Sequence, residues 1–482
     1  MKRIFLLLGL MFPLLLAAQN VSEQKARMIA QKQLQSTATR SLGASDLRMV
    51  YDGRDAATRS SEPAPYYVFE QTSEGGFVIV AGDERAMPVL GFSTESKFPT
   101  REMPDNLRYW MDFLKREIAF IRANNLPKTP RVAQAWNTSA TRAEEHKAVI
   151  QHKTMRWDQA TPYNNMCPEL PMSNKRAYTG CNTTSMAIVM AFHRWPDVGV
   201  GSLPGYNTRT LGFFVPGLDL GLPYDWKNMQ PYYSQDDSSY SKEQGDAVAM
   251  LMRDISIAMK SDYTAEQTSA YSHEALRVMS ENFKYEQGAT LERRDTHGDA
   301  KFIPMLKKEL EQNGPILYGG YTIDNAGHAF VLDGYTEDGY FGVNWGWSGV
   351  YNGYFLLSAL DPGGPHGIGG ASSSFNYGQD AILNLRPARE VETDPRFEDL
   401  CLTFKRELRH LIVTKNPVDE SFRFDIRIYD PKGNLIIEAP NVDKAGVDFG
   451  QDVEGGKYRV QIFEPGQGGI PKVNVEVIIP KK

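Results

Sequence analysis

The sequence predicts an α+β protein built from more than one compact unit, and three observations carry that reading. The chain has 482 residues, too many for one ordinary domain and about right for three. Its composition, 41% apolar and 23% charged, is that of a globular protein. Helical periodicity near residues 105–121 and strict two-residue alternation near 422–428 sit in the same chain.

The first residues read as a secretion signal covering 1–18. Lys2 and Arg3 supply a positive start, and Ile4 to Leu16 is a 13-residue apolar run, too short to span a bilayer. Ala17, Ala18 and Gln19 offer a small-residue cleavage point. No later stretch is apolar enough for a membrane span, so export is expected. The net charge of −6 and pI of about 5.9 argue against nucleic acid or an anionic membrane as the natural partner.

Residues 19–126 read as a small α+β unit. A polar helix is expected over Ser22–Gln35, then a hairpin of Tyr66–Phe69 and Phe77–Val80 turning through Gly75 and Gly76. Asp105 heads a helix whose Leu107, Trp110, Met111, Leu114, Ile118 and Ile121 share one face. Residues 127–150 read as an exposed linker without periodicity, interrupted by Pro127, Pro130, Asn137, Thr138 and Ser139. The largest unit follows, to about residue 387, rich in Gly, Tyr and Trp. In the tail, 388–482, Phe422, Phe424, Ile426 and Ile428 alternate with polar residues, as do Tyr458, Val460 and Ile462. That pattern predicts a small antiparallel sandwich.

Three cysteines, Cys167, Cys181 and Cys401, leave at least one thiol unpaired, which is unusual for an exported chain stapled by disulfides. Cys181 opens a run, Asn182 to Phe192, that reads as a buried helix ending before Trp195-Pro196. A cysteine in a first helical turn has the positive end of the helix dipole beside its sulfur, and its own N–H is free to meet an oxyanion. For a lone cysteine, a buried inert side chain is the more frequent alternative.

Of the eight histidines, His193 lies on the same helix, roughly 18 Å from Cys181 along the axis, and cannot reach it. His328 opens a credible core strand, Ala329 to Tyr335. After Thr336-Glu337-Asp338-Gly339 the chain turns and returns as Tyr340 to Trp347. A hairpin there brings Asn344 back toward the His328 end, where a side-chain amide can hold an imidazole in one tautomer, with Trp345 as cover. Gln159 is a candidate second donor to an oxyanion. No HExxH, P-loop or GxSxG pattern is present, so no metal or organic cofactor is expected.

Trp157-Asp158-Gln159 with Pro162-Tyr163-Asn164, Thr179-Gly180-Cys181, Gly327-His328-Ala329-Phe330-Val331 and Val343-Asn344-Trp345-Gly346-Trp347 fall in one order over about 190 residues. Together they resemble the streptopain (C10-type) family of secreted bacterial cysteine peptidases. Tyr67-Val68-Phe69, Gly76 to Asp83 and Leu90 to Ser93 are similar to its inhibitory propeptide. The resemblance implies a papain-like catalytic domain, with a helical part and an antiparallel β part, over 143–387. It also implies an α+β inhibitory propeptide over 19–142, acting on the chain's own active site, and leaves a C-terminal β-sandwich-like domain over 388–482. The substrates implied are proteins or peptides, with an apolar residue two before the scissile bond.

By the same resemblance Cys181 is the nucleophile, His328 the general base and acid, Asn344 its orienting amide, Trp345 the shield and Gln159 the oxyanion donor. Gly327 lines the cleft. Maturation is expected by cleavage near Arg142. Two departures stand out: Asn182-Thr183-Thr184-Ser185 replaces Val-Ala-Thr-Ala after the nucleophile, and Ser348 replaces a glycine. Neither alters a catalytic atom. The tail, with Gly455-Gly456-Lys457-Tyr458, somewhat resembles C-terminal sorting domains of type IX secretion; a plain immunoglobulin-like domain is the alternative. A papain-like acyl transferase, or a secreted binding protein acting through its β tail, are the rival functional readings.

Overall fold

The structure is a computed structural model. It describes residues 19–35, 43–54, 62–72, 75–99, 103–141, 146–171, 173, 175–234, 239–264, 267–321, 327–358, 378–388, 397, 400–415, 419, 421–431, 435–443, 445–450, 453–466 and 471–480. The expected signal segment and the Arg142 cleavage point lie outside these residues. Two compact units result: residues 1–310 with 315–386, and residues 311–314 with 387–482.

In the first unit α1 (Glu23–Gln35) buries Ala26, Ile29, Ala30 and Leu34, the spacing of one helix face. Strands β1 (Leu47–Tyr51), β2 (Tyr66–Gln71), β3 (Phe77–Ala81) and β4 (Val89–Ser93) form an antiparallel meander. The expected hairpin is β2–β3, with Phe69 opposite Val78. Helix α2 (Asp105–Ala123) buries the expected stripe from Leu107 to Ile121.

The reading of 127–150 as an exposed linker without periodicity is corrected over 130–141. Residues Pro130–Thr141 form a helix, α3. Thr129 caps it through Oγ1 to the Val132 N–H at 3.2 Å, and Pro130 sits in the first turn, where its missing N–H costs nothing. Val132 and Trp136, four residues apart, are buried, and the Trp136 indole donates to the Ala86 carbonyl at 2.8 Å. The polar residues mistaken for breaks are accommodated by the helix: Thr138 Oγ1 donates back to the Gln134 carbonyl at 3.0 Å.

The rest of the first unit contributes β5 (Ala148–Gln151), α4 (Cys181–His193), α5 (Lys242–Ala258), α6 (Ser272–Glu281), β6 (Thr290–Arg293) and α7 (Asp299–Gln312). It then adds β7 (Ile316–Tyr321), β8 (Gly327–Thr336), β9 (Phe341–Asn344), β10 (Gly353–Phe355) and β11 (Gln379–Leu383). An eleven-stranded sheet runs β1-β2-β3-β4-β10-β9-β8-β7-β11-β6, with β5 added to β8. The sheet of the N-terminal segment is therefore continuous with the central one. The junction is β4 against β10, pairing Phe92 with Tyr354 and Gly91 with Phe355.

Alternation along β8 splits its residues between two cores. Phe330 and Leu332 enter the core shared with Trp110, Phe113 and Phe77, whereas Val331 enters the core built on Met186, Ile188 and Val189 of α4. The second unit has one three-stranded and one four-stranded antiparallel sheet. Leu411 and Val413 of the first meet Phe424, Ile426, Ile428, Val460 and Ile462 of the second in one core.

The β4–β10 junction depends on Gly91, where a Cβ falls 2.6 Å from Phe355 Cδ1 and 3.2 Å from the Tyr354 carbonyl. Gly91→Ala should weaken the junction by about 1–3 kcal/mol, the usual cost of overpacking. Hydrogen exchange should accelerate in β4 and β10 and stay unchanged in β6 and β11.

Candidate active site

Helix α4 begins at Cys181 because Gly180 supplies a turn few other residues allow. Its φ is +89°, and a Cβ there falls 2.5 Å from the Thr268 carbonyl. The helix is buried from Asn182 to Ala191, so its start is held rigidly. Around the Cys181 turn the Thr179 and Thr184 hydroxyls bond at 2.8 Å, and Asn182 Nδ2 donates to the Ala270 carbonyl at 2.7 Å. Asn182, one of the two sequence departures, therefore ties the turn to the segment before α6.

Burial acts most strongly on the Cys181 thiol and disfavours its thiolate, while the nearby backbone N–H groups of Ala329, Asn182 and Cys181 itself favour it. The Ala329 contact places the sulfur beside the His328–Ala329 peptide at the start of β8. Although the residue is partly accessible, the site is deep, and desolvation outweighs these donors and pushes the thiol pKa up. Cys167 is buried and pushed up to about 12 by desolvation, which makes it inert, and Cys401 is exposed in the second unit.

His328 pairs across the sheet with Gly320. Its ring lies against Tyr109 of α2, with centroids 5.5 Å apart and planes at 29°. Tyr109 fits only because residue 320 is glycine: a Cβ there falls 2.6 Å from the tyrosine ring. Burial lowers the imidazole pKa; Asp105 opposes that and Arg108 adds to it, both residues of α2. The same helix sends Asn106 Nδ2 to the Trp345 carbonyl at 2.7 Å and to the Ala329 carbonyl at 3.3 Å. Farther along, the buried Glu117 accepts the Ser358 hydroxyl at 2.7 Å. Tyr109, Asn106 and Asp105 were not legible as site residues, because only folding brings α2 to β8.

Of the residues expected around His328, Asn344 bonds elsewhere. Asn344 is opposite Val331 in β9, as the hairpin predicts, and by alternation it lies on the face away from His328. Its Nδ2 donates to Thr154 Oγ1 at 3.0 Å and to the Met155 carbonyl at 2.9 Å, and its Oδ1 accepts the Gly346 N–H at 3.1 Å. In this state the amide holds segment 154–155 and the loop after β9, not the imidazole. Trp345 is buried between Phe330 and Phe355, with ring centroids at 4.8 and 5.2 Å. Gln159 is buried, and its carbonyl accepts the Thr179 N–H at 3.1 Å, two residues before Cys181. Gly327 is the first residue of β8.

Other histidines have partners elsewhere: His193 with the Tyr285 hydroxyl, His152 with the Leu310 carbonyl and His297 with Glu292. Among the described residues no cluster of His, Cys, Asp or Glu is arranged to hold a metal, and no helix is long and apolar enough to cross a membrane.

Residues 157–355 match the peptidase C10 family, and residues 18–118 match the Spi protease inhibitor family. The chain is 31% identical over 334 residues to streptopain of Streptococcus pyogenes, covering 67% of this chain and 80% of streptopain. It is 31% identical over 401 residues to the thiol protease/hemagglutinin PrtT of Porphyromonas gingivalis, covering 80% of this chain but only 44% of that protein. A solved fragment of Prevotella intermedia prointerpain A is similar at 26% identity and a TM-score of 0.50, covering 66% of this chain and 94% of the fragment.

With α2 in place, both shifts oppose a thiolate–imidazolium pair: the thiol is pushed up and the imidazole down. A raised thiol pKa means less thiolate at any given pH. Alkylation of Cys181 by iodoacetamide in the full-length chain should therefore be slow at pH 7 and rise only as pH passes the ordinary thiol value of about 8.5. Tyr109→Ala, which lets water reach the site, should raise the pH 7 rate.

Proposed function

Because this chain belongs to the peptidase C10 family of cysteine peptidases, we propose that it is made as a zymogen and cleaves peptide bonds of proteins with Cys181 as nucleophile and His328 as base. The observation that carries this reading is the Cys181 sulfur at the N-terminus of α4, against the His328–Ala329 peptide and beneath α2. A Spi-type segment as the inhibitor of the chain's own site agrees with the position of α2 over His328. The proposed parts are a signal (1–18), a propeptide (19–142), a peptidase domain (143–387) and a β tail (388–482), with export from the cell.

The proposed cycle begins when removal of the propeptide takes away Tyr109, Asp105 and Arg108. Water then reaches the imidazole, its pKa rises, and the Cys181–His328 ion pair becomes accessible. The thiolate adds to the scissile carbonyl carbon, and the carbonyl π pair moves onto oxygen. The Cys181 N–H and the Gln159 side-chain amide hold that oxyanion. The C–N bond breaks as the His328 imidazolium gives its proton to the departing amine, leaving a thioester on Cys181. Water adds to the thioester while imidazole takes its proton, and the sulfur leaves with the acid product released. Asn344 is proposed to support the base through the loop that carries Trp345, since its amide holds that loop at Gly346.

Purified precursor and its Cys181→Ala variant should be compared on casein under reducing conditions, with chain length followed on a gel. The wild type should shorten by about 120 residues, the proposed propeptide length, and then digest casein; the variant should do neither. If the wild type is still inactive after trypsin has cut the 142–145 region, the peptidase reading is wrong. Efficient transfer of the acyl group to an added amine in preference to water would favour the acyl transferase instead.

A further inference from the structure

Ser348 stands in the loop after β9 with φ +55°. This is the left-handed region, where a Cβ crowds the backbone and glycine is unstrained. A serine there carries a conformational cost that glycine avoids, and what it adds is a hydroxyl.

That hydroxyl donates to Asp158 Oδ2 at 2.6 Å. The other carboxylate oxygen, Oδ1, accepts the backbone N–H of Gln159 at 2.6 Å. The Ser348 N–H also donates to the Trp157 carbonyl at 2.9 Å, and the Gln159 carbonyl accepts the Thr179 N–H. Residues 157–159 are thus clamped between the loop after β9 and the extended segment that leads into Cys181. Both backbone polar groups of Gln159 are fixed, one by Asp158 and one two residues from Cys181. Glycine at 348 preserves the backbone bond to Trp157 and relieves φ, so the hydroxyl's particular contribution is to hold the Asp158 carboxylate in the orientation that meets Gln159.

We propose that Ser348, acting through Asp158, is a positioning residue that holds Gln159 where its amide meets the oxyanion. The proposal rests on the reading of Gln159 as an oxyanion donor.

The test compares wild type, Ser348→Gly, Ser348→Ala, Asp158→Asn, Gln159→Ala and the double variant Ser348→Gly/Gln159→Ala. Each full-length precursor is cut in trans and its active sites are titrated. A peptide substrate reports kcat and KM, and a peptide aldehyde, whose thiol adduct places an oxygen in the hole, reports transition-state binding. Ser348→Gly should lower kcat by about tenfold, with KM within about twofold and aldehyde affinity falling in step, while the melting temperature does not drop. A merely structural serine predicts the reverse: stability moves and the aldehyde does not. Gln159→Ala should cost about a hundredfold in kcat, and the double variant should be no worse than Gln159→Ala. If Gln159→Ala is impaired while Ser348→Gly, Ser348→Ala and Asp158→Asn all keep wild-type kcat, the positioning role fails and the oxyanion reading stands. If Gln159→Ala itself keeps wild-type kcat, the oxyanion reading fails and takes the proposal with it. Should Ser348→Gly not fold, Ser348→Ala and Asp158→Asn carry the same comparison.

Discussion

The backbone N–H of Ala329 meets the Cys181 thiol, and this contact couples two separate cores. Cys181 begins a helix buried in one of them, and Ala329 follows His328 on a strand that borders both. Neither residue can move alone, because α4 is packed on nearly all sides and β8 has neighbours on each edge. The thiol is held by a helix start and the imidazole by a strand start, so each is fixed by a regular element and not by a loop.

The N-terminal segment uses the same framework. Its meander joins the central sheet edge to edge through β4 and β10, and α2 lies across the start of β8. The consequence is electrostatic as well as steric. Covering His328 removes water from its imidazole, and burial favours the neutral form. The thiol shifts the opposite way for the same reason. Under the proposed assignment of Cys181 and His328, burial beneath the N-terminal segment disfavours the charged form of each. Gly320 and Gly91 make this docking sterically possible, since a Cβ at either position overlaps an aromatic ring across the contact.

The loop after β9 and segment 154–159 form a second coupled pair. Asn344 reaches Thr154 and Met155, and Ser348 reaches Trp157 and Asp158. Both sides of this seam carry residues of the Trp-Asp-Gln and Asn-Trp-Gly-Trp motifs. The motifs are far apart in sequence and join across one seam, which gives a physical reason for both to be present in one chain.

Much of the framework was legible in advance. Apolar spacing located α2, a run apolar all round and ending before Trp195-Pro196 located α4, two-residue alternation located the tail strands, and the turn at Gly339 brought Asn344 back alongside β8. These features depend on neighbours within a few residues, so local pattern is enough to read them. The helix at Pro130–Thr141 was missed because its apolar face is only Val132, Ala135 and Trp136, and its polar residues resemble a loop until Trp136 finds the Ala86 carbonyl. Which face Asn344 occupies, which ring covers His328 and what the Ser348 hydroxyl touches were decided only by the tertiary structure. The physical reason is that strand register and the docking of α2 set these contacts, and they join residues up to about 220 positions apart. The sequence by itself determined which chemical groups are present and on which elements; packing between distant elements decided which groups face one another.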